Sequence, residues 1–443
     1  MSQNQVQSTV KDALVELDKR HFIHPTSSLK QQQESGAPFI FTEGNGVYLT
    51  DISGKKVLEG MSSLWNVNVG YGRKELAEAA REQMEKLAFT NSFSSFSNEP
   101  AIRLAAKIAE ITPGDLNAVF FTSGGSESND TAYKLVRYYW KLKGFPQKTK
   151  IISRRKGYHG VNIGATSATG ITPFQEMTSS LAPDFLHVDT FSTEDLKECI
   201  VREGAEKIAA FVAEPVQGAG GVNIAPDGYF QAVRKICDEN NILFIADEVI
   251  TGFGRTGKLF ACEHYNVVPD VMLLAKGITS GYIQLGAVVL TERIHQELIA
   301  LSDGVLLHGY TYSGHATACA VALKNIEIIE KENLVENSRL MGEELLKGFK
   351  KIQEEIDIVG EVRALGLIGA VEIIDPVTKK RFPTPISPKV STEAAKRGLI
   401  VRTVVFEGMD TVVFSPPLVI NKQEIEELLA ILRESLLAVE NSL

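Results

Sequence analysis

The stretch ILFIADEVITGFGRTGKLFACEHYNVVPDVMLLAK (residues 242–276) contains two apolar runs, 242–246 and 271–275, and each run ends in charged residues. Short apolar runs bounded in this way are typical of strands that are covered on both faces of a sheet. From about residue 75 onward, similar runs alternate with stretches of helical periodicity; they are AVFF (118–121), KIIS (150–153), FLHV (185–188) and IAAFVAE (208–214). This alternation predicts βαβ units and an α/β fold built on a mainly parallel sheet.

Both ends of the chain depart from this alternation. Residues 8–21 have helical periodicity, and FIFTEGNGVYLTDISGKKVLEG (39–60) places Asn-Gly and Ser-Gly pairs between β-prone runs, which predicts a small antiparallel meander. A long helix, two β-prone runs and a closing helix follow residue 330. We therefore predict that residues 1–70 and 331–443 together form a smaller α/β domain beside a large domain of residues 71–330.

Composition and charge narrow the classes of partner. The chain has 443 residues and a formal net charge of −9, without a basic stripe, which argues against binding to nucleic acid or to an anionic membrane surface. The N-terminal segment lacks the apolar core of a signal peptide and no run reaches membrane-spanning length, so we expect a cytoplasmic protein. Scattered single cysteines predict reduced, packed thiols and neither a zinc site nor a disulfide framework; they are Cys199, Cys237, Cys262 and Cys319.

Polar side chains end several of the predicted strands. Glu214, Asp247 and Lys276 each close an apolar run, and Tyr158 and His159 follow another. Because ligands of open α/β sheets bind beyond the carboxyl ends of the strands, we expect these side chains to converge on one site. A lysine partly removed from water can form a Schiff base with a carbonyl, and a carboxylate beside a pyridine nitrogen keeps that nitrogen protonated. These strand-end residues together therefore suit a pyridoxal cofactor. Each residue alone is equally compatible with an ordinary helix cap or with a polar residue at the point where the chain leaves the core.

A glycine turn is the candidate phosphate site. FFTSGGSESNDTAYKLVRYYW (120–140) reads as a strand, a Gly/Ser turn and a helix. Gly124 and Gly125 allow close approach of the backbone, Ser126 adds a hydroxyl, and the N-terminus of the helix attracts an anion. A plain turn with a serine N-cap explains the same residues equally well.

Three other features are weaker signals. GFGRTG (252–257) matches the dinucleotide pattern G-x-G-x-x-G, but acidic residues precede it and the next strand ends in lysine, so a nicotinamide-dependent oxidoreductase is a remote alternative. His308 and His315 have no carboxylate or thiol companions, so we expect no metal site. Phe93 belongs either to the core or to a pocket wall.

Taken together, the segments resemble the class III aminotransferases, which are fold type I pyridoxal-phosphate enzymes. The similarity lies in residues 246–282, which contain Asp247 and Lys276, and in segments that occur in the family's order; these are SSLWNVNVGYG (62–72), FFTSGGSES (120–128), GYHG (157–160), AEPVQGAGG (213–221) and HGYTYSGH (308–315). The resemblance implies that Lys276 holds pyridoxal 5′-phosphate as a Schiff base and that Asp247 pairs with its ring nitrogen.

The resemblance also assigns the surroundings of the cofactor. Val249 and Tyr158 are expected on its two ring faces, and Gly125 and Ser126 at its phosphate, joined by Thr311 from a second subunit. A homodimer with sites at its interface is therefore implied, and a tetramer is left open.

Within the family, Trp65 and Arg402 resemble the ω-transaminase branch, whose members move an amino group from an amine or ω-amino acid to pyruvate by a ping-pong mechanism. Trp65, Tyr158 and Phe93 would form an aromatic wall, and Arg402 offers a planar fork for a carboxylate or sulfonate. Taurine or β-alanine:pyruvate, polyamine and diaminopelargonate transfer stay open as alternatives. One departure from the branch is Gln284, which stands where many relatives have proline and leaves a backbone N–H eight residues after the lysine.

Overall fold

The computed structural model describes residues 3–443. Its helices are α1 Gln3–His21, α2 Leu29–Ser35, α3 Ser62–Trp65, α4 Lys74–Leu87, α5 Glu99–Ile111, α6 Gly125–Leu142, α7 Ile163–Ala168, α8 Thr172–Glu176, α9 Thr193–Glu203, α10 Tyr229–Glu239, α11 Glu292–Leu301, α12 Ala316–Lys331, α13 Leu334–Glu355, α14 Ser387–Lys396 and α15 Lys422–Glu440. Its strands are β1 Phe41–Asn45, β2 Tyr48–Asp51, β3 Lys56–Glu59, β4 Leu116–Thr122, β5 Lys150–Arg154, β6 Phe185–Val188, β7 Ile208–Ala213, β8 Val216–Gln217, β9 Asn223–Ile224, β10 Leu243–Asp247, β11 Val271–Leu274, β12 Gly286–Thr291, β13 Val359–Ala364, β14 Gly369–Ile373, β15 Leu399–Ile400, β16 Arg402–Val404 and β17 Thr411–Phe414.

Seven strands form the central sheet in the order β4-β12-β11-β10-β7-β5-β6. The pairs β11-β10, β10-β7, β7-β5 and β5-β6 are parallel, whereas β12 runs antiparallel to both of its neighbours. Alternate residues of β10 face separate cores: Phe244 packs with Phe211 and Phe230, and Ile245 lies in the cluster that contains Val212. The predicted mainly parallel sheet, covered on both faces, is therefore confirmed.

The two chain ends meet in smaller sheets. The meander β1-β2-β3 is antiparallel as predicted, and β15 extends it by pairing parallel to β3. The remaining C-terminal strands form the antiparallel sheet β13-β14-β17-β16. A smaller α/β unit built from both terminal segments is thus confirmed, while the boundaries after residues 70 and 330 stay a proposal and residues 1 and 2 lie outside the described part.

Strand β12 is the element that the sequence analysis missed. Its run GAVVLT is as apolar as the other strands, but it follows β11 without an intervening α-helix and returns antiparallel between β11 and β4.

All four cysteines are buried and unpaired, as expected. Within residues 3–443, no helix combines the length and the apolar composition that a membrane crossing requires.

The parallel strands β5, β7, β10 and β11 end at one edge of the central sheet. Tyr158, Glu214, Asp247 and Lys276 follow or close these strands, so strand direction alone brings them to the same edge. The edge therefore defines where the site is built.

Candidate active site

A cavity of about 500 Å³ lies at this edge, within the size range of small-molecule sites. Nine of the predicted site residues line it, namely Trp65, Gly125, Ser126, Tyr158, Glu214, Asp247, Val249, Lys276 and Arg402. His159, which was expected at this edge without a specific role, also lines it. Residues that were not singled out from the sequence line it too; among them are Leu64, Asn129, Phe174 and Phe406.

Lys276 follows β11 in a short 3-10 turn, Lys276–Ile278. Its φ of 49° lies in the left-handed region, which a lysine adopts only when its surroundings hold it there. Burial lowers the pKa of the Lys276 ammonium to about 8, against the opposing charges of Asp247 and Glu214. The lowered pKa leaves a larger fraction of this amine unprotonated near neutral pH than an exposed lysine has, and the unprotonated form is the nucleophile.

Asp247 is buried at the end of β10 and is held by three groups. Its Oδ2 accepts a hydrogen bond from Asn129 Nδ2 at 3.0 Å and lies 2.8 Å from His159 Nδ1, and its Oδ1 accepts from the Val249 backbone N–H at 3.2 Å. Tyr133 in turn donates to Asn129 Oδ1 at 2.7 Å. Asn129 is one helical turn after Gly125, and this spacing was the signal that the sequence analysis left unused.

Two buried glutamates near the strand ends, Glu214 and Glu248, have different tasks. Glu214 accepts from the Tyr158 backbone N–H at 2.9 Å and from the Gly218 N–H at 3.2 Å, and burial raises its pKa to about 7. Glu248 lies outside the cavity and accepts from the backbone N–H groups of Ala261 and Cys262. Glu214 therefore belongs to the site, and Glu248 ties together the loop that follows β10.

The glycine turn opens α6 at the cavity. A Cβ at Gly124 would meet no atom within 4 Å, so the turn faces open space. Ser126 does not cap the helix; its Oγ accepts from the Val161 N–H at 3.0 Å. The first-turn amides of a helix have no intrahelical partner, so this turn can bind an anion, and the serine N-cap interpretation is wrong.

Aromatic side chains form another part of the cavity lining. Trp65 is 3% exposed, and the rings of Tyr158 and Phe174 and of Phe174 and Phe406 meet edge to face at 5.3 and 5.9 Å between centroids. We call Trp65, Tyr158, Phe174 and Phe406 the aromatic wall. Among the described residues, the guanidinium of Arg402 beside it has no hydrogen-bond or ion-pair partner in the protein.

Phe93 does not line the cavity of its own chain, and its place in the pocket wall stays a prediction. Its side chain is 49% exposed, and its ring packs so closely on Gly309 that a Cβ there would lie 3.0 Å from the ring. Thr311, on the loop that contains Gly309, is exposed and does not line the cavity. Gln284 is exposed and also lies outside the cavity.

Two sequence signals have structural explanations. The GFGRTG turn opens no α-helix, and its Arg255 is buried against backbone and side-chain oxygens, so it is not a dinucleotide site. His308 contacts Lys134 Nζ and Thr131 Oγ1, each at 2.9 Å. In the described part of the chain, no group of three His, Cys, Asp or Glu residues is arranged to hold a metal ion.

Comparisons with known proteins find relatives over nearly the whole chain. The family model described as aminotransferase class-III matches residues 30–436. A putrescine–pyruvate aminotransferase of Pseudomonas aeruginosa is 41% identical over 95% of both chains. Among solved structures, a transaminase from the marine bacterium Virgibacillus is 54% identical, with a TM-score of 0.95 over 97% of this chain and 99% of that one. An omega transaminase from Pseudomonas jessenii in complex with PMP is 37% identical, with a TM-score of 0.93 over 97% and 98%.

Proposed function

The chain belongs to the class III aminotransferases, pyridoxal-phosphate enzymes that move an amino group from an amine to a keto acid, and from this membership we propose its substrates. The donors are primary monoamines with an apolar or aromatic substituent, or ω-amino acids, and the acceptor is pyruvate or a similar keto acid. One observation carries this proposal: the unpartnered guanidinium of Arg402 lines the cavity beside the aromatic wall.

The residues that line the cavity fit pyridoxal phosphate. The Gly124–Ser126 turn suits its phosphate, Asp247 its ring nitrogen and Lys276 its aldehyde, and the side chains of Val249 and Tyr158 line the cavity between them. When bound, the cofactor supplies an aldehyde that takes up the amino group and a protonated ring that stabilises negative charge on the substrate carbon.

Each polar side chain then has a defined task. Lys276 Nζ would hold the cofactor covalently and, when free, would move a proton at the substrate carbon. Asp247 would keep the ring nitrogen protonated, and His159 and Asn129 orient the Asp247 carboxylate. Because donor and acceptor use the same pocket in turn, we expect ping-pong kinetics.

The charges of the cavity distinguish between donor classes. In the described residues, the acids that line it are Asp247 and Glu214, and both lie at strand ends on the side of Lys276. A distal ammonium, as in a diamine, would meet Arg402 and aromatic rings without a carboxylate partner, which is unfavourable. A distal carboxylate or sulfonate would meet Arg402, so β-alanine and taurine remain compatible, and polyamines are disfavoured.

Replacement of Arg402 by alanine tests this assignment. We expect kcat/KM for β-alanine and pyruvate to fall about 10- to 100-fold, since a hydrogen-bonded charge contributes about 1.5–3 kcal/mol. The half-reaction with 1-phenylethylamine, followed by bleaching of the cofactor absorbance, should change less than about threefold, because an apolar amine makes no ion pair. Arg381→Ala, at an exposed arginine, is the matched control.

Equal losses for acidic and apolar substrates would remove the proposed role of Arg402. If putrescine reacts faster than 1-phenylethylamine in the unmodified enzyme, the proposed donor class is wrong.

We also propose a homodimer that completes each cavity. An exposed apolar patch surrounds Thr311; it consists of Phe89, Phe93, Phe96, Leu306, Leu307 and Tyr312. Phe89 packs edge to face on Tyr312 at 5.7 Å, so the patch joins two chain segments. Exposed apolar clusters of this kind mark interfaces, and Thr311 would reach the partner's cofactor phosphate from it. The cytoplasmic location stays a prediction.

Thr311→Ala is expected to weaken cofactor binding about tenfold, because one hydrogen bond to a charged phosphate is lost. Absorbance titration of the apoenzyme with cofactor measures the affinity, and sedimentation equilibrium measures the assembly. A monomer with full activity, or unchanged affinity in the variant, would contradict the shared site.

A further inference from the structure

The segment that carries Trp65 has an unusual backbone. Ser62, Ser63 and Trp65 have φ values of 47°, 59° and 64°, all in the left-handed region and none at glycine. Residues with a Cβ disfavour this region, so such a segment persists only where its surroundings hold it. The indole of Trp65 is almost fully buried and lines the cavity. The position of the indole therefore depends on whatever fixes this backbone.

Glu59 precedes this segment in the chain and binds its backbone. The residue is 1% exposed and does not line the cavity. Its Oε1 accepts from the Met61 backbone N–H at 2.9 Å, and its Oε2 accepts from the Ser63 N–H and from the Tyr71 hydroxyl, the latter at 3.1 Å. One buried carboxylate thus orients backbone groups on both sides of Ser62.

Arg255, the arginine of GFGRTG, binds the same segment at other residues. It is 0% exposed, and its Nη2 donates to Ser62 Oγ at 3.1 Å and to Asn68 Oδ1 at 2.8 Å. Its Nη1 donates to the carbonyl oxygens of Leu367 and Pro416 in the C-terminal segment. The guanidinium therefore links this segment to the C-terminal part of the chain.

The two charges also support each other. Burial raises the pKa of the Glu59 carboxyl and lowers the pKa of the Arg255 guanidinium, and the charge of each residue opposes the shift of the other. Removing either charge would leave the other one buried with fewer partners, which is costly.

We propose that Glu59 and Arg255 are positioning residues that hold the Trp65 indole in the aromatic wall and thereby set the preference for large apolar amine donors. The proposal rests on the proposed function for its substrate class. It also gives a task to GFGRTG, because the glycines of this turn bring a buried arginine to the strained segment rather than to a phosphate.

The chain has two tryptophans, so Trp140→Phe leaves Trp65 as the single reporter. In this background, Glu59→Gln keeps the shape of the side chain but loses its charge and one acceptor oxygen. For the holoenzyme we expect acrylamide quenching of Trp65 to rise about twofold or more, because a loosened indole becomes accessible. We also expect kcat/KM for 1-phenylethylamine relative to isopropylamine to fall about tenfold, because hydrogen bonds to a charged group are lost.

A milder pair of variants guards against misfolding. Tyr71→Phe removes one of the three donors to Glu59 and should shift both readouts in the same direction by less. Tyr48→Phe removes a hydroxyl that donates to Glu427 at 2.8 Å, away from the cavity, and should leave both unchanged.

Unchanged quenching in Glu59→Gln, or in Tyr71→Phe if the first variant does not fold, would overturn the proposal. An equal loss for both amines would overturn it too, because a general loss of activity is not a loss of size preference. Quenching needs no turnover: increased quenching in an enzyme that uses neither amine would support the positioning role while the proposed function fails.

Discussion

Lys276→Ala is expected to reduce transamination of 1-phenylethylamine and pyruvate by at least about 10⁴-fold, because it removes both the covalent attachment of the cofactor and a proton transfer that alone contributes about 10²- to 10⁴-fold. The geometry explains the size of this effect. The amine lies at the carboxyl end of β11 with its pKa lowered to about 8 by burial, and the charges of Asp247 and Glu214 oppose this shift. No other lysine lines the cavity within the described residues.

The measurement is kcat under saturating cofactor, with Lys258→Ala as a control at an exposed lysine of the same chain region. Retention of more than about 1% of turnover would contradict the assigned role, because acid–base catalysis by a single side chain is worth at least about 10²-fold.

Asp247→Asn is expected to have the second largest effect. The substitution preserves size and some hydrogen bonding to Asn129 and Val249 but removes the negative charge that we propose pairs with the cofactor's ring nitrogen. Loss of one member of a buried charge pair costs about 3–5 kcal/mol, or about 10²- to 10⁴-fold in rate. The half-reaction with excess 1-phenylethylamine in a stopped-flow spectrometer measures this rate directly.

Asp227→Asn, at an exposed aspartate, is the matched control and should react at the unmodified rate. A half-reaction of Asp247→Asn within about threefold of the unmodified enzyme would show that the rate does not need this charge, because such a change is below about 1 kcal/mol.

The strand ends were predictable because parallel strands bring their carboxyl ends to one edge. Glu214, Asp247 and Lys276 each close an apolar run, and that alone placed them together. Asn129 was not assigned although it lies one helical turn after Gly125, and His159 was expected at this edge but without a partner. Hydrogen bonds between distant segments leave no local pattern from which the contacts with Asp247 could be predicted. Strand β12 was missed for the same kind of reason, because its antiparallel return needs no helical crossover that the sequence would reveal.

Other residues depend on contacts that no local pattern encodes. Phe174 and Phe406 come from α8 and from the turn after β16, and they meet only in the folded chain. Phe93 was assigned to the pocket from its aromatic character, yet in its own chain it lies on the exposed apolar patch. Arg255 looked like part of a dinucleotide motif, and its real partners are oxygens up to 193 residues away in sequence.

Reduction of the holoenzyme with borohydride, followed by digestion and mass spectrometry of the peptides, tests directly whether Lys276 holds the cofactor. The reagent makes the bond between the cofactor and its lysine permanent, so the modified residue is read from the fragment masses. We expect the modification at Lys276, in the peptide that contains Val271–Leu274, and none in Lys276→Ala. Modification at another lysine, or none in an enzyme that carries the cofactor, would contradict it.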